Sequence, residues 1–326
     1  MQKTILVFTN GEKIGDAIIK LPLLNEIKKR LPNYKLIWMT NKGKTAYNNE
    51  LKNIAYEYID EIWEQADLKP FFWQKISYKY DLNKLNFEYI LDTQKSFLRT
   101  LALKRIKCRN FISASASGFF SSKKIIKKNN NLKRKYYLYD LYDLLDLIKK
   151  EKIENKFIFK IPYELSQKLN NLFDLKENYV GIAPGAGEIN KIWDLRNFIK
   201  VAKYLEKKSI KLVFFLGPNE KHIESKIKSI FPNVIMPENI ISDYSGTEIV
   251  MASTKFLKFA ISNDSGVSHM LSIGFCPLIK LFGPKDSNKF TPSDKKIITI
   301  SSNKFGSKNI NDIPTEYVLQ KINEIS

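Results

Sequence analysis

The sequence is poor in residues that bind metals or form disulfides. Its 326 residues include only two cysteines, Cys108 and Cys276, and two histidines. So few cysteines exclude a disulfide framework and a cysteine-rich metal site, and so few histidines argue against a histidine-based zinc site. We therefore expect a protein that works without a bound metal.

Long hydrophobic runs are also lacking. No apolar run approaches the roughly 18 residues that cross a bilayer. The N-terminal segment MQKTILVFTN has too short an apolar part, and no cleavage-type tail, for a signal peptide. Thirteen glycines and twelve prolines without a period exclude a collagen-like or low-complexity chain. The sequence thus predicts a cytoplasmic globular protein, and its length at about 150 residues per domain predicts two domains.

Acidic residues are few relative to basic ones. The 54 lysines and arginines against 34 aspartates and glutamates give a formal net charge of +20. Such an excess indicates an anionic partner: nucleic acid, an anionic membrane surface or a phosphorylated substrate. Because only six of the 54 are arginine, a coding bias toward lysine and asparagine explains part of it. Residues 101–135, however, hold eleven basic residues and no acidic one, which indicates a basic patch.

Short apolar runs alternate with amphipathic stretches along the whole chain. The pattern predicts strands at 5–8, 35–40, 89–94, 108–113, 179–183, 211–216, 234–237, 259–262, 277–282 and 297–301. It predicts helices at 18–31, 136–149, 195–207 and 220–230. Continuously apolar strands separated by helices are typical of parallel sheets covered on both faces. We expect two doubly wound Rossmann-like α/β domains, 1–160 and 161–326, facing across a cleft.

The loop after the first predicted strand is one candidate site, because ligands of open α/β sheets bind beyond the carboxyl ends of the strands. In NGEKIGDAIIKLP, Gly11 and Gly15 permit a tight turn, and Asp16 lies at the start of the following helix. Asp16 is either a functional carboxylate or the N-cap of that helix. The glycine spacing matches neither nucleotide-binding fingerprint.

Two loops of the second half present glycines after a strand. In APGAG (183–187), small residues let backbone N–H groups approach an anion, and Lys191 adds a positive charge nearby. An ordinary strand-to-helix turn is an equally good interpretation. LGPNE, which ends at Glu220, also closes a strand and opens a helix.

The segment SNDSGVSHM (262–270) is the best candidate for binding a phosphate or diphosphate. Asp264 and Ser265 supply capping groups, Gly266 removes side-chain bulk, and a helix begins here. A helix N-terminus carries partial positive charge and free N–H groups. His269, one turn into the helix, is either a packed structural residue or a donor to a phosphate oxygen.

Longer segments carry a family resemblance. They are GDAIIKLPLLNEIKKRLP, FEYILDTQKSFLRTLALKR, YLYDLYDLLDLI, APGAGEINKIW and SNDSGVSHMLSIGFCPLIKLFGP. In this order they resemble glycosyltransferase family 9, the bacterial heptosyltransferases of lipopolysaccharide inner-core synthesis, over nearly the whole chain. The resemblance implies a GT-B fold. It also implies inverting, metal-free and cofactor-free transfer of a heptose from a nucleotide-activated donor, usually ADP-linked.

The resemblance also implies residue roles. Asp16 matches the family's proposed catalytic base, and Lys191 matches a ligand of the donor phosphate. Apart from the resemblance, we also assign Glu220, at the end of LGPNE, to the donor side. The loop that holds the donor sugar and diphosphate, and the histidine that follows it, correspond to Asp264, Ser265, Gly266 and His269.

Four positions depart from the family pattern. Ala186 and Gly187 replace hydroxyl residues, so that only their backbone N–H groups can contact phosphate. Asn10 stands where many members have arginine, and Asp194 replaces the usual proline after Trp193.

The expected partners are a nucleotide-sugar donor, an anionic lipid-linked oligosaccharide acceptor and the cytoplasmic face of the inner membrane, with no nucleic acid. To the acceptor and membrane side we assign Gly15, Arg99, Arg105, Arg109, Lys123 and Lys124. A membrane-facing loop is assigned to Lys127, Lys128, Lys133, Arg134 and Lys135. Two alternatives remain: another GT-B enzyme with a different nucleotide sugar or acceptor, and a non-catalytic basic protein that binds nucleic acid.

Overall fold

The computed structural model describes residues 2–82, 85–124, 136–152, 157–292, 294 and 296–325. The chain divides into two compact units, Met1–Phe157 and Ile158–Ser326. None of the helices in these described ranges is both long enough and apolar enough to cross a membrane.

The first unit is built on five parallel strands. They are β1 (Thr4–Thr9), β2 (Lys35–Thr40), β3 (Glu61–Trp63), β4 (Phe87–Asp92) and β5 (Cys108–Ser113). The helices are α1 (Ile14–Arg30), α2 (Lys52–Ala55), α3 (Phe97–Lys104) and α4 (Tyr137–Ile148). The strand order β3-β2-β1-β4-β5 is that of a Rossmann-like sheet, with β1 in the middle.

A buried arginine joins two helices of this unit. Arg30, the last residue of α1, donates to Asp146 Oδ1 at 2.7 Å and to the Lys149 carbonyl at 2.9 Å. Its Nε also donates to Glu26 Oε2 at 3.3 Å. Because both carboxylates and a carbonyl satisfy the buried guanidinium, the ends of α1 and α4 are held together on the sheet.

The second unit repeats this architecture. Its strands are β6 (Tyr179–Ala183), β7 (Lys211–Phe214), β8 (Leu257–Asn263), β9 (Leu278–Phe282) and β10 (Ile297–Ser301). Its helices are α5 (Tyr163–Leu172), α6 (Leu195–Lys207), α7 (Glu224–Ile230), α8 (Pro237–Ile240), α9 (Gly246–Ser253), α10 (Gly266–Ile273), α11 (Ser287–Phe290) and α12 (Thr315–Ile325). The strands are again parallel, in the order β10-β9-β8-β6-β7.

The fold class predicted from the sequence is confirmed, although several predicted elements differ from the structure in type or in bounds. The run 234–237 is not a strand: only Ile235 forms a bridge, to Val213, and α8 begins at Pro237. Proline has a backbone angle suited to the first turn of a helix and no N–H for a sheet. Helix α1 begins at Ile14, four residues before its predicted start, and this places Asp16 inside the helix.

Candidate active site

The loop after β1 packs against the loop after β2 at the carboxyl edge of the first sheet. Gly11 adopts a φ of +116°, and a Cβ there would lie 2.6 Å from the Gly43 Cα. The Gly43 N–H donates to the Asn10 carbonyl at 2.9 Å. Only glycine therefore fits at position 11, where the backbone conformation is unfavourable for other residues and the neighbouring loop is in contact.

This loop carries a buried carboxylate that is fully engaged. Glu12 lies 3.0 Å from Lys20 Nζ and accepts from Trp38 Nε1 at 3.4 Å. Burial alone would lower the pKa of Lys20, but the adjacent Glu12 carboxylate raises that pKa above its usual value. The pair is thus a structural ion pair at the start of α1.

Asp16 has the opposite environment. It is the third residue of α1 and is exposed, whereas the N-cap position is occupied by Lys13. The interpretation of Asp16 as the N-cap is therefore wrong. Among the described residues, no hydrogen bond or ion pair engages its carboxylate. Gly15 precedes it in the same turn and is half-buried. An accessible carboxylate without a partner can accept a proton from a bound hydroxyl.

A second buried carboxylate, Asp92 at the end of β4, was missed in the sequence. It accepts from Thr100 Oγ1 at 2.6 Å, from Ser113 Oγ at 2.8 Å and from the Gln94 N–H at 2.9 Å. Burial raises the pKa of Asp92, and these hydrogen bonds partly offset the shift. Asp92 therefore joins β4, β5 and α3. An acidic residue closing an apolar run was the available signal.

Two of the arginines assigned to the acceptor side have partners within the fold. The half-buried Arg105 donates to the Lys69 carbonyl at 2.7 Å and to the Gln74 carbonyl. It holds the loop between them rather than presenting a free charge. Arg109 is exposed and pairs with Glu88 at 3.3 Å.

The other basic residues assigned to the acceptor and membrane side differ in their exposure and in their hydrogen-bond partners. Lys123 is half-buried, with its ammonium 3.5 Å from the Ile148 carbonyl at the end of α4. Arg99, half-buried in α3, and the exposed Lys124 have no hydrogen-bond partner in the described part of the chain. The membrane-facing loop (Lys127, Lys128, Lys133, Arg134 and Lys135) lies outside the described residues.

In the second unit, a buried asparagine fixes the glycine-rich loop after β6. Asn263 Nδ2 donates to the Pro184 carbonyl at 2.6 Å, and Asn263 Oδ1 accepts from the Trp193 N–H at 3.2 Å. Between these anchors, the N–H groups of Ala186 and Gly187 meet no acceptor in the described ranges. Such free amides in a rigid loop are suited to binding an anion.

Beside this loop lies a group of five charged side chains, here called the charge cluster. Asp264 lies 3.1 Å from Lys280 Nζ and 3.3 Å from Lys191 Nζ. Glu188 lies 3.5 Å from Lys191 Nζ and 3.0 Å from Lys285 Nζ. With three ammonium groups and two carboxylates, the charge cluster has an excess of positive charge.

The pKa values of two buried groups, Lys280 within the charge cluster and His269 beside it, are shifted. Burial lowers the pKa of Lys280 to about 8, although Asp264 acts in the opposite direction. Burial, followed by the charges of Lys280 and Lys191, lowers the pKa of His269 well below its usual value. At neutral pH this imidazole is therefore uncharged, so that one ring nitrogen can donate a hydrogen bond and the other can accept one.

Helix α10 begins at the charge cluster. Ser265 is its N-cap and forms a reciprocal capping box with Ser268. The N–H groups of Gly266 and Val267, in the first turn, have no acceptor among the described residues. Free amides and the positive end of the helix dipole therefore accompany the ammonium groups.

Glu220 lies against the same glycine-rich loop. It belongs to the turn at 218–223 that follows β7. A methyl group on Gly185 would overlap its carboxyl, and a Cβ on Gly217 would lie 2.7 Å from its Oε2. Burial raises the pKa of Glu220.

The structure thus brings together the predicted donor residues Ala186, Gly187, Lys191, Glu220, Asp264, Ser265, Gly266 and His269 within the second unit. Sequence reasoning missed Lys280 and Asn263. The signal for Lys280 was a lysine inside the apolar run 277–282. In the described ranges, no three His, Cys, Asp or Glu side chains are grouped so as to hold a metal ion. The positive charge at this site is carried by the ammonium groups of Lys191, Lys280 and Lys285.

Comparisons with known proteins agree with this architecture. Residues 76–316 match the model of glycosyltransferase family 9 (heptosyltransferase). Lipopolysaccharide heptosyltransferase 1 of Campylobacter coli is 25% identical over 334 residues, which cover 96% of each chain. Lipooligosaccharide heptosyltransferase 2 of Campylobacter jejuni is 24% identical over 282 residues, covering 86% of this chain and 81% of its own.

Solved structures support the fold at lower identity. A family 9 glycosyltransferase from Veillonella parvula has a TM-score of 0.70 at 17% identity, covering 100% of this chain and 98% of its own. The E. coli heptosyltransferase WaaC with ADP has a TM-score of 0.68 at 15% identity, covering 99% of this chain and 100% of its own. These neighbours have the GT-B fold. Since the family model spans well over half of the sequence, the chain belongs to glycosyltransferase family 9 and is a glycosyltransferase.

Proposed function

We propose that the protein transfers a heptose from ADP-heptose to a lipid-linked inner-core acceptor of lipopolysaccharide or lipooligosaccharide, with inversion and without a metal. The family match and the names of the Campylobacter relatives support the reaction class. Because the acceptor is lipid-linked, the proposal includes peripheral contact with the cytoplasmic face of the inner membrane.

The observation that carries the donor part of the proposal is the charge cluster at the start of α10. A diphosphate brings negative charge, which the surplus ammonium group and the free N–H groups of Gly187 and Gly266 can neutralise. As the bond between the anomeric carbon and the diphosphate oxygen breaks, charge on the leaving ADP grows. Fixed donors stabilise this growing charge without reorganising, and this is often the largest catalytic contribution.

Asp16 supplies the base. The acceptor hydroxyl oxygen forms the new bond to the anomeric carbon, its proton passes to the Asp16 carboxylate, and ADP leaves with the electron pair of the broken bond. Glu12 is unsuited to this role because Lys20 and Trp38 already occupy its carboxylate. A nucleoside diphosphate is a good leaving group, so that no strong general acid is required.

The decisive experiment measures ADP release and glycan mass with purified protein, ADP-heptose and an inner-core acceptor. Asp16→Asn should lower kcat by about 10²–10⁴-fold, the usual contribution of a positioned base. Its donor affinity and thermal stability should remain near those of the wild type. The matched control is Asp140→Asn, another exposed acid in the first turn of a helix, which should retain activity. Near-normal turnover of Asp16→Asn would refute the assignment of the base.

The same assay separates the donor alternatives. A panel of UDP-, GDP- and ADP-linked sugars should show turnover with ADP-heptose only. Turnover with another nucleotide sugar in its place would identify a different GT-B glycosyltransferase. A chelator should leave activity unchanged. Loss of activity that a divalent cation restores would contradict transfer without a metal.

A further inference from the structure

An exposed aromatic turn in the first unit lies outside the site described above. We call residues 71–80 (FFWQKISYKY) the aromatic segment. Phe72 is 85% exposed and Trp73 is 68% exposed, and Phe71 and Tyr78 are also exposed. Phe71 and Trp73 stack with ring centroids 4.8 Å apart. Consecutive exposed aromatic side chains are rare on a soluble surface and mark an interaction site.

The aromatic segment is anchored at its base. Ile76 is buried in the core of the first unit, and Ser77 Oγ donates to the Ala66 carbonyl at 2.6 Å. The guanidinium of Arg105 holds the carbonyls on both sides of the exposed turn. The rings therefore stay exposed on a fixed backbone, and binding a partner requires little further ordering.

Charge identifies the partner. Residues 68–80 contain three lysines and no acidic residue. Lys69 is paired with Asp67. Lys75 and Lys79 are exposed, each with its ammonium over a neighbouring tyrosine ring, at 5.7 and 5.5 Å from the centroids. Lys79 Nζ also donates to the Glu64 carbonyl at 2.8 Å. Tryptophan and tyrosine favour the region between lipid tails and head groups, and lysines are attracted to anionic lipid.

We propose that the aromatic segment is the membrane-inserting element of this protein, with Phe72 and Trp73 entering the head-group region of an anionic bilayer and Lys75 and Lys79 contacting lipid phosphates. A protruding turn of aromatic rings suits a lipid surface, because a second protein would need a complementary pocket. The inference extends the proposed function by naming the element that holds the enzyme at the membrane where a lipid-linked acceptor resides.

Vesicle binding tests the inference with the full-length protein. The probes are phosphatidylcholine vesicles with and without phosphatidylglycerol, measured by co-sedimentation. Phe72→Ser/Trp73→Ser should weaken binding to the anionic vesicles by at least about tenfold, or ~1.4 kcal/mol. The matched control, Tyr163→Ser/Leu175→Ser, removes two side chains that are 76% and 80% exposed on the second unit, and it should bind like the wild type. Equal binding of the wild type and the Phe72/Trp73 variant would overturn the inference.

Three further measurements identify how the aromatic segment binds. Lys75→Gln/Lys79→Gln should weaken binding to anionic vesicles and reduce its salt dependence, because salt screens exposed charges. Trp73→Phe should abolish most of the vesicle-induced blue shift in fluorescence while retaining binding. An unchanged blue shift would overturn the insertion of Trp73. A wild-type dimer that Phe72→Ser/Trp73→Ser dissociates would instead show that a second copy occupies the surface, which also overturns the inference.

Vesicle binding requires neither donor nor acceptor, so that its outcome is independent of the proposed reaction. If the proposed function is right, Phe72→Ser/Trp73→Ser should transfer heptose normally to a water-soluble, deacylated acceptor. If the wild type fails to transfer heptose but binds vesicles through Phe72 and Trp73, the proposed function fails and the membrane inference stands.

Discussion

The buried ion pair of the charge cluster makes a quantitative prediction about stability. Lys280 and Asp264 lie 3.1 Å apart, and the Lys280 side chain is fully buried. At an effective dielectric constant near 20, two unit charges at that distance attract by about 5 kcal/mol. Desolvation offsets much of this attraction, and without Lys280 the buried Asp264 keeps only Lys191, at 3.3 Å, as a partner. Because losing one partner of a buried pair costs about 3–5 kcal/mol when the other charge is left alone, Lys280→Met should destabilise the second unit by up to that amount.

A double-mutant cycle isolates the interaction. Asp264→Asn should also destabilise the unit, because Lys280 is then left without its carboxylate. The double variant should lose much less than the sum of the two single losses, since no uncompensated buried charge remains. Urea unfolding followed by hydrogen exchange of peptides from residues 158–325 reports the second unit separately from the first. Single losses below about 1 kcal/mol, or strictly additive losses, would refute the reasoning.

Two further predictions concern the second unit. In the described part of the chain, the buried Oε2 of Glu238 has no hydrogen-bond partner, and burial raises the pKa of this carboxyl from 4.5 to about 8. The folded state thus holds the proton more tightly than the unfolded chain. The free energy of unfolding should fall as pH rises through that window, by up to roughly 1.4 kcal/mol per pH unit from this group. Glu238→Gln should remove this fall in urea titrations at pH 5 and 8, and an identical pH dependence in both proteins would exclude Glu238 as its source. Gly185→Ala should weaken ADP binding in calorimetry by about tenfold because the methyl group displaces Glu220, whereas Gly187→Ala, whose Cβ would meet nothing within 4 Å, should bind ADP normally. Equal ADP affinities for the two alanine variants would contradict the idea that the position of Glu220 matters for ADP binding.

Strands were predictable where burial on both faces made the sequence continuously apolar. β2, β5, β6 and β10 have the predicted bounds. β3 was not predictable, because Glu61–Trp63 is only three residues long and carries a charged residue. The predicted strand at 234–237 failed because an apolar run gives no information about its pairing partner, and Pro237 starts a helix instead.

The candidate site was predictable only in its local parts. Glycines, a capping serine and an aspartate after a strand are visible within one segment, and these pointed to 183–187 and 262–270. The partners of Asp264 are distant in the sequence. Lys191 and Lys280 lie on other elements, and the order of the strands in the sheet brings them next to Asp264. The partners of Arg105 are also distant in the sequence. Its charge indicated a binding surface, whereas its hydrogen bonds to the Lys69 and Gln74 carbonyls give it a structural role.

Both units contain a buried lysine–carboxylate pair, but the charge that remains around the pair differs. Each has a buried lysine paired with a carboxylate beyond the carboxyl end of a strand, Lys20 with Glu12 and Lys280 with Asp264. In the first unit the charge of Lys20 is neutralised by Glu12, and the carboxylate of Asp16, one turn away, has no hydrogen-bond or ion-pair partner among the described residues. In the second unit the carboxylates are outnumbered by lysines, so that positive charge remains for an anion. Where the basic residues lie, rather than the net charge of +20, therefore distinguishes the proposed proton-accepting site from the proposed diphosphate-binding site.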